Sequence, residues 1–204
     1  MGTQPYDPAD DAGLLSESGC TESRAFVAHY QAADPALGTT TAVHAAVTDD
    51  GTEQTITTSI TNPDYPRIVT ATSGGTAGDI KAIQVTINGT DAAGNTLTET
   101  LPVFTENSAT TVAGSKAFAT VTSIVIPAHD GTGATTAVGI GDKLGLRHML
   151  DRNTVLATFL NGSLEGTAPT VATSATVVAS NTIDLNSALD GNQVDCYYLV
   201  VGND

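Results

Sequence analysis

The sequence predicts an all-β protein, an antiparallel β-sandwich of jelly-roll or immunoglobulin-like type with an extended N-terminal arm. Apolar and polar residues alternate with period two at residues 83–87 and 97–101, on either side of a turn at residues 90–95. Gly, Asn and Asp clusters recur at intervals of about ten residues, which is typical of sandwiches and barrels. Threonine, a β-branched residue that suits strands, makes up about one residue in six.

The N-terminal part of the chain has a different amino-acid composition. Residues 1–20 are rich in Pro, Asp, Gly and Ser and show no apolar face, so they predict an extended arm. Residues 21–204 are predicted to form the sandwich, with a division into two small β-domains near residue 150 as the alternative. In residues 24–30, Phe26, Ala28 and Tyr30 alternate as in a strand, although the alanines also permit a short helix.

The central part of the chain is predicted to be a series of strands separated by turns. Residues 49–51 indicate a tight hairpin, residues 62–66 a rigid proline-containing connection, and residues 73–79 a flexible loop. The segment 116–127 is apolar on both faces and is expected to be central and buried. The predicted strands are 42–47, 54–60, 67–73, 80–88, 96–104, 116–127 and 137–140.

The C-terminal part begins with residues 139–152, whose glycines and leucines predict a loop that packs through its leucines, with at most one helical turn. Strands are predicted at 155–160, 170–178, 182–185 and 194–201, with turns at 161–162 and 190–192. The last of these strands is the most apolar in the chain. We expect it to run through the centre of a sheet.

The charge of the chain excludes some classes of partner. The formal net charge is −15 and the pI is about 4.2, with only 7 Lys and Arg. This balance argues against a nucleic-acid partner and against an anionic membrane surface. It fits solubility by self-repulsion, or an acidic face that meets a more basic protein. The uncharged threonine hydroxyls would suit a surface facing water or another protein. The N-terminus does not resemble a signal peptide and no segment is long enough to span a bilayer, so we expect synthesis and assembly in a bacterial or host cytoplasm, without export by the usual N-terminal route.

The residues that most often bind metals are scattered. Cys20 and Cys196 lie at opposite ends of the chain; they could bridge the termini, but a free buried thiol is the favoured interpretation. The histidines have no partner at metal-ligand spacing and are predicted to be surface or strand residues. They are His29, His44, His129 and His148.

Catalytic motifs do not emerge either. There is no Gly-x-Ser-x-Gly, and the glycine-rich residues 73–78 lack the Gly-Lys-Ser/Thr ending of a phosphate-binding loop. Glu53 and Glu99 have no evident carboxylate partner or aromatic sugar platform, and residues 190–195 do not match a calcium loop. We therefore predict no catalytic, metal or cofactor site, and a protein that is not an enzyme.

Several segments resemble a group of structural proteins encoded by tailed bacteriophages. The resemblance covers most of the chain from about Thr41 onward, while the arm matches no known group. Its motifs are turn and strand signatures, so the resemblance implies a virion structural protein without implying a site. The segments are 43–47 (VHAAV), 54–67 (QTITTSITNPDYPR), 85–94 (VTINGTDAAG), 114–124 (GSKAFATVTSI), 139–146 (GIGDKLGL) and 181–191 (NTIDLNSALDG).

Within that group we expect a capsid decoration, or cement, protein on the outer surface of a tailed-phage head. Its partners would be the major capsid protein or other virion proteins, and it would form a homo-oligomer, with a trimer as one possibility. The arm could add contact area by ordering on a neighbour. One alternative is a neck, tail or fibre-base protein of the same virion. Another, of a different class, is an extracellular adhesin or carbohydrate-binding β-sandwich module, which would require export and exposed aromatic residues.

Overall fold

A computed structural model describes residues 14–15, 21–22 and 25–201 of the chain. The prediction of an all-β, antiparallel fold is confirmed: these residues form sixteen strands and two short 3₁₀ turns, Ala77–Asp79 and Val178–Ser180, with no α-helix. The strands are β1 Leu14–Leu15, β2 Thr21–Glu22, β3 Ala25–Ala32, β4 Thr39–Thr48, β5 Gln54–Ile56, β6 Arg67–Gly75, β7 Thr86–Thr90, β8 Thr96–Thr100, β9 Thr111–Phe118, β10 Thr120–Ile126, β11 Ala134–Gly145, β12 Val155–Leu160, β13 Ser163–Leu164, β14 Thr170–Ala172, β15 Thr182–Asp184 and β16 Val194–Val201.

The strands assemble into three sheets, apart from a short β1–β2 ladder, and every pairing is antiparallel. Sheet 1 has the order β5-β10-β7-β8. Sheet 2 has the order β14-β15-β11-β6-β9, and β4 also pairs with β11. Sheet 3 has the order β13-β12-β16-β3. The strand β16 lies inside its sheet, between β12 and β3, as its sequence predicted.

Two hydrophobic cores share the strand β11. The first core lies among residues of β4 and β6 to β11, and it includes Val138 and Ile140 of β11. The second core includes Leu144 of the same strand, together with residues of β3, β15 and β16. The predicted division near residue 150 stays a prediction; the second core draws residues from both sides of that point.

The hairpin around residues 90–95 is confirmed. The strands β7 and β8 pair with Ile87 opposite Glu99, and the turn residue Gly94 has a φ of 82°. The carboxylate of Asp91 accepts hydrogen bonds from the backbone N–H groups of Ala93 and Asn95, both at 2.9 Å. The predicted turn at residues 161–162 is confirmed too, since both residues have positive φ; it joins β12 directly to β13, a two-residue strand that was not predicted.

The segment 139–152 was predicted to be a loop, and this is wrong for its first part, because β11 continues to Gly145. The glycines of β11 do not end the strand. Their missing side chains leave room for neighbouring groups that lie close to the backbone. A Cβ at Gly139 would collide with the carbonyl oxygen of Thr39 in β4, and one at Gly141 would lie 2.7 Å from the Ile68 side chain. The leucines after the strand do pack inward: Leu144, Leu146 and Leu150 belong to the second core.

Other predicted strand limits also need correction. The segment 116–127 is two strands, since β9 ends at Phe118 on the edge of sheet 2 and β10 begins at Thr120 inside sheet 1. The N–H of Ala119, between them, donates to Thr90 of β7 at 2.8 Å. Four segments are strands over only part of their predicted lengths, namely 54–60, 80–88, 96–104 and 170–178. The segment 73–79, predicted to be a loop, is strand as far as Gly75.

The turn at residues 49–51 exists but does not make the predicted hairpin. The N–H of Gly51 donates to the Asp49 carboxylate at 2.9 Å, and Gly51 has a φ of 84°. However, β4 pairs with β11 and β5 pairs with β10, so this turn carries the chain from sheet 2 to sheet 1.

Most of the predicted N-terminal arm, residues 1–20, lies outside the described residues, as does Cys20. Its described part is β1, which pairs with β2. The other cysteine, Cys196, is a fully buried thiol in β16, and burial raises its pKa to about 12.

Candidate docking surface

The outer face of sheet 3 is defined by alternation along its two longest strands, to which the exposed Phe26 and the buried Asp195 are exceptions. In β3, Ala28 and Tyr30 are buried while Val27 and His29 are exposed on the other side. In β16 the even-numbered residues from Val194 to Val200 are buried in the second core. The odd-numbered residues of both strands therefore form the outer face.

This outer face is largely apolar and aromatic. Val27 lies opposite Leu199, and His29 lies opposite Tyr197, with the two rings stacked at a centroid distance of 4.5 Å. The ring of Phe159 in β12 meets Tyr197 edge-on at 6.0 Å, and Leu164 of β13 lies opposite Phe159. The docking face, as we name it here, consists of Val27, His29, Phe159, Leu164, Tyr197 and Leu199.

The docking face exposes large apolar side chains that a monomer has no structural need to expose. Val27 is 55% and Leu164 64% accessible. Phe26 and Leu156, also exposed, belong to sheet 3 but lie outside the docking face as defined above. Contiguous exposed apolar surface of this kind marks interaction sites, whereas single exposed residues are ordinary.

One carboxylate, Asp195, also lies on this side of the sheet, and three neighbouring side chains hold it in place. It accepts hydrogen bonds from Gln193 at 2.7 Å and Gln31 at 3.2 Å, and His29 lies 2.7 Å from it. Burial alone would raise the pKa of Asp195, but these hydrogen bonds outweigh it and hold the pKa below its usual value. The docking face therefore carries one ionised carboxylate that is held by hydrogen bonds, in a chain whose net charge is −15.

A polar pocket of about 380 Å³ lies at the edge of sheet 3 formed by β3. Inside it, Nδ1 of His148 is hydrogen-bonded to the Tyr198 hydroxyl at 2.7 Å. Burial and the neighbouring Arg147 guanidinium both lower the pKa of His148. The ring of Phe26 meets His148 edge-on at 5.8 Å. The lining residues are His29, Tyr30, Gln31, Arg147, His148 and Tyr198.

The carboxylates considered from the sequence have structural roles or stand alone. Glu99 is 8% exposed, and its side chain accepts hydrogen bonds from the N–H and hydroxyl of Ser115 at 2.7 and 2.8 Å. This contact joins β8 of sheet 1 to β9 of sheet 2. Glu53 is exposed just before β5. Within residues 25–201, no three His, Cys, Asp or Glu side chains are grouped so that they could hold a metal ion.

The histidines fall into two groups. His29 and His44 lie on strands, as predicted, but His129 and His148 lie in loops. His129 is buried: its Nδ1 accepts a hydrogen bond from the N–H of Lys81 at 3.2 Å, and its Nε2 lies 2.9 Å from the Thr136 hydroxyl. Its own N–H donates to Asp49 at 2.9 Å. Burial lowers the pKa of His129, so the neutral ring is the form that fits.

The segments that form β3, β12 and β16 were predicted to be strands, but the docking face was not predicted from the sequence. A signal was present, because Val27, Tyr197 and Leu199 occupy positions of one parity in strands whose other parity is already apolar. Such strands are usually interpreted as central and covered on both sides. Only the accessibility of side chains such as Val27 and Leu164 shows that no described residue covers the second side.

Comparison with known proteins identifies no family model, curated protein or solved structure that matches this chain. Over the described residues, no helix combines the length and hydropathy needed to cross a bilayer.

Proposed function

We propose that this chain is a virion structural protein that decorates the outer surface of a tailed-phage head, and that it binds the shell through the docking face. The observation that carries the proposal is the pairing of a largely apolar face with a strongly acidic chain. Apolar area supplies the binding free energy, at about 25 cal/mol per Å² removed from water. The acidic remainder of the surface keeps unattached copies apart in solution.

The size of the docking face suits such a contact. Four strands spaced about 4.8 Å apart and at most about 26 Å long give an area of up to roughly 500 Å². A specific interface buries about 800 Å² on each partner. Sheet 3 can therefore provide the centre of an interface, and neighbouring exposed side chains such as Leu156, which is 57% accessible, can provide its rim.

A charge placed on the docking face tests the proposal. Val27→Glu should lower the occupancy of the protein on purified phage heads by at least about tenfold, because the carboxylate would have to be desolvated at the interface. Val103→Glu is the matched control, since Val103 is 52% accessible and lies outside sheet 3. Both variants should keep the melting temperature of the parent chain. Equal occupancy of the two variants, measured by quantitative mass spectrometry of particles, would contradict the proposed use of this face.

The position on the particle is tested separately by cryo-electron microscopy. A decoration protein should appear in many copies across the shell, and its copy number by mass spectrometry should match the lattice. A few copies at one vertex would instead support the neck, tail or fibre-base alternative.

A further inference from the structure

The fold places the two Asn-Gly pairs of the sequence in opposite environments. Asn161 and Gly162 form the two-residue turn between β12 and β13, while Asn88 and Gly89 lie within β7. Each pair is followed by a residue with a small hydroxyl side chain. The local sequences are therefore closely matched, so a difference in chemical behaviour between the two pairs has to come from the fold.

An Asn-Gly pair is reactive because the backbone can attack the asparagine side chain. The glycine nitrogen reaches the asparagine Cγ easily, since glycine has no Cβ to hinder the approach. The nitrogen loses its proton to water and bonds to Cγ, and the side-chain nitrogen takes up a proton and leaves as ammonia. The cyclic imide that remains is opened by water at either of its two carbonyls. The product is an aspartate or an isoaspartate, and the net reaction consumes one water and releases one ammonia.

The turn at Asn161 meets the requirements of this reaction. Both of its residues are exposed, so water has access to the side-chain amide and to the glycine nitrogen. A Cβ built on Gly162 would have open space around it among the described residues. The strand that closes the turn, β13, consists of only Ser163 and Leu164, and both are exposed. Opening so short a ladder breaks few hydrogen bonds, so the turn can change to the backbone conformation that ring closure needs.

The pair at Asn88 is held away from the same reaction. The Asn88 amide nitrogen donates to the hydroxyl of Ser123 in β10 at 3.0 Å, and its amide oxygen accepts from the hydroxyl of Thr98 in β8 at 2.8 Å. Gly89 is buried between the same two strands, and a Cβ on it would collide with the Thr120 carbonyl oxygen. Turning the amide toward the Gly89 nitrogen would break both side-chain hydrogen bonds inside sheet 1.

We propose that Asn161 is a site of spontaneous modification, at which water converts the exposed amide into the carboxylate of an aspartate or isoaspartate. The contrast with Asn88 carries the proposal, because the two pairs share their sequence and differ in exposure and in the contacts of their side chains. Water is the only co-reactant, so the modification accumulates with the age of the molecule.

The location of Asn161 gives the modification a consequence for the docking face. In the hairpin that follows the turn, Phe159 lies opposite Leu164 and Leu160 opposite Ser163. Either product adds a negative charge at this end of sheet 3, and isoaspartate also adds one atom to the backbone of the turn. The longer turn no longer fits the register that places Leu164 on the docking face. Ageing should therefore weaken docking; this consequence rests on the proposed function, whereas the modification itself does not.

Peptide mapping of the full-length protein by mass spectrometry tests the modification. At mildly alkaline pH, the native peptide containing Asn161 should gain the mass that separates a carboxyl from an amide at least about tenfold faster than the peptide containing Asn88. In urea the two rates should agree within about threefold, because no contact then protects either pair. Mildly acidic buffer should slow the reaction at Asn161, since the attacking nitrogen has to lose its proton. Equal native rates at the two sites, or a difference that persists in urea, would overturn the proposal.

Aged and fresh protein separate the modification from its consequence. The occupancy of aged parent protein on purified phage heads should be at least about threefold lower than that of fresh protein. Asn161→Gly is the control, because glycine tolerates the positive φ of this position and has no amide to lose, so its occupancy should not change on ageing. Unchanged occupancy of protein that mass spectrometry shows to be modified would refute the consequence and count against the proposed function, while the modification site would stand.

Discussion

Replacing Arg67 should destabilise the fold, because its buried guanidinium connects distant parts of the chain. It lies in β6, next to β11, and is completely buried. Its Nε donates to the carbonyl of Gly141 at 2.7 Å, and its Nη1 donates to the carbonyl of Ala36 and to the Asp64 carboxylate, each at 2.9 Å. Its Nη2 lies 3.5 Å from the carboxylate of Asp142. One guanidinium thus ties together two loops and the strand shared by both cores.

The expected magnitude follows from what Arg67→Met would leave behind. Two backbone carbonyls would lose their donor, and two carboxylates would lose their cation. Removing one partner of a buried pair costs about 3–5 kcal/mol. The side chains of Asp64 and Asp142 are 29% and 42% exposed, so water can partly solvate them. We therefore expect a loss near the lower end, about 3 kcal/mol in the free energy of unfolding.

Urea denaturation followed by circular dichroism measures this loss directly. The midpoint should fall while the slope with denaturant stays constant, because the surface exposed on unfolding is nearly unchanged. Arg152→Met is the control: its side chain is 68% exposed and lies 3.3 Å from the carboxylate of its neighbour Asp151, so the change should stay within about 0.5 kcal/mol. A loss below about 1 kcal/mol for Arg67→Met, or one no larger than that of the control, would refute the reasoning.

Three further predictions concern other buried groups. Asn181→Ala should lower the free energy of unfolding, measured by urea denaturation, by about 3 kcal/mol. The reason is that the buried Asn181 amide accepts hydrogen bonds from the N–H groups of Leu150 and Ser174 and donates to nearby carbonyls. A loss under about 1 kcal/mol would argue against these contacts. Burial holds the folded-state pKa of His129 below its unfolded value of about 6.5, so the contribution of His129 to stability should be complete above pH 6.5 and decline as the pH falls below it. His129→Gln should therefore flatten the pH dependence of the melting temperature below pH 6.5. An unchanged slope in the variant would contradict this prediction. In a Cys20→Ser background, Cys196 should react with a thiol reagent only in urea, because burial raises its pKa to about 12; rapid labelling of the native protein would disprove its burial.

Local features of the fold could be predicted from the sequence because the residues that determine them are adjacent. The hairpin of β7 and β8 is specified by alternation on both sides and by Asp91 and Gly94 in the turn. The turn that follows β12 is specified by Asn161 and Gly162, both of which adopt positive φ. In each case the turn chemistry and the strand pattern agree, so one local interpretation suffices.

Features that depend on distant contacts could not be predicted in this way. The turn at residues 49–51 has hairpin chemistry, but the partners of its flanking strands are β11 and β10, far along the chain. The glycines of β11 look like loop residues until the neighbours that approach them are known. Arg67 gives no sign in the sequence that it is buried, since its partners come from residues 36, 64, 141 and 142.

The two kinds of outer surface decide which side of the molecule is better suited to docking. Threonine hydroxyls on sheets 1 and 2 are paired across strands, as in Thr86 with Thr100 at 3.1 Å and Thr90 with Thr120 at 2.7 Å. In each pair one hydroxyl donates to the other, so one O–H group still needs an acceptor. Covering such a surface removes water from these groups, so the contact would yield little net free energy. Neither β3 nor β16 contains a threonine, and their outer side chains are mainly apolar or aromatic. Of the two environments that the threonine content suggested, water or another protein, water is therefore the better fit for the threonine-bearing faces, and the stronger driving force for docking lies on sheet 3.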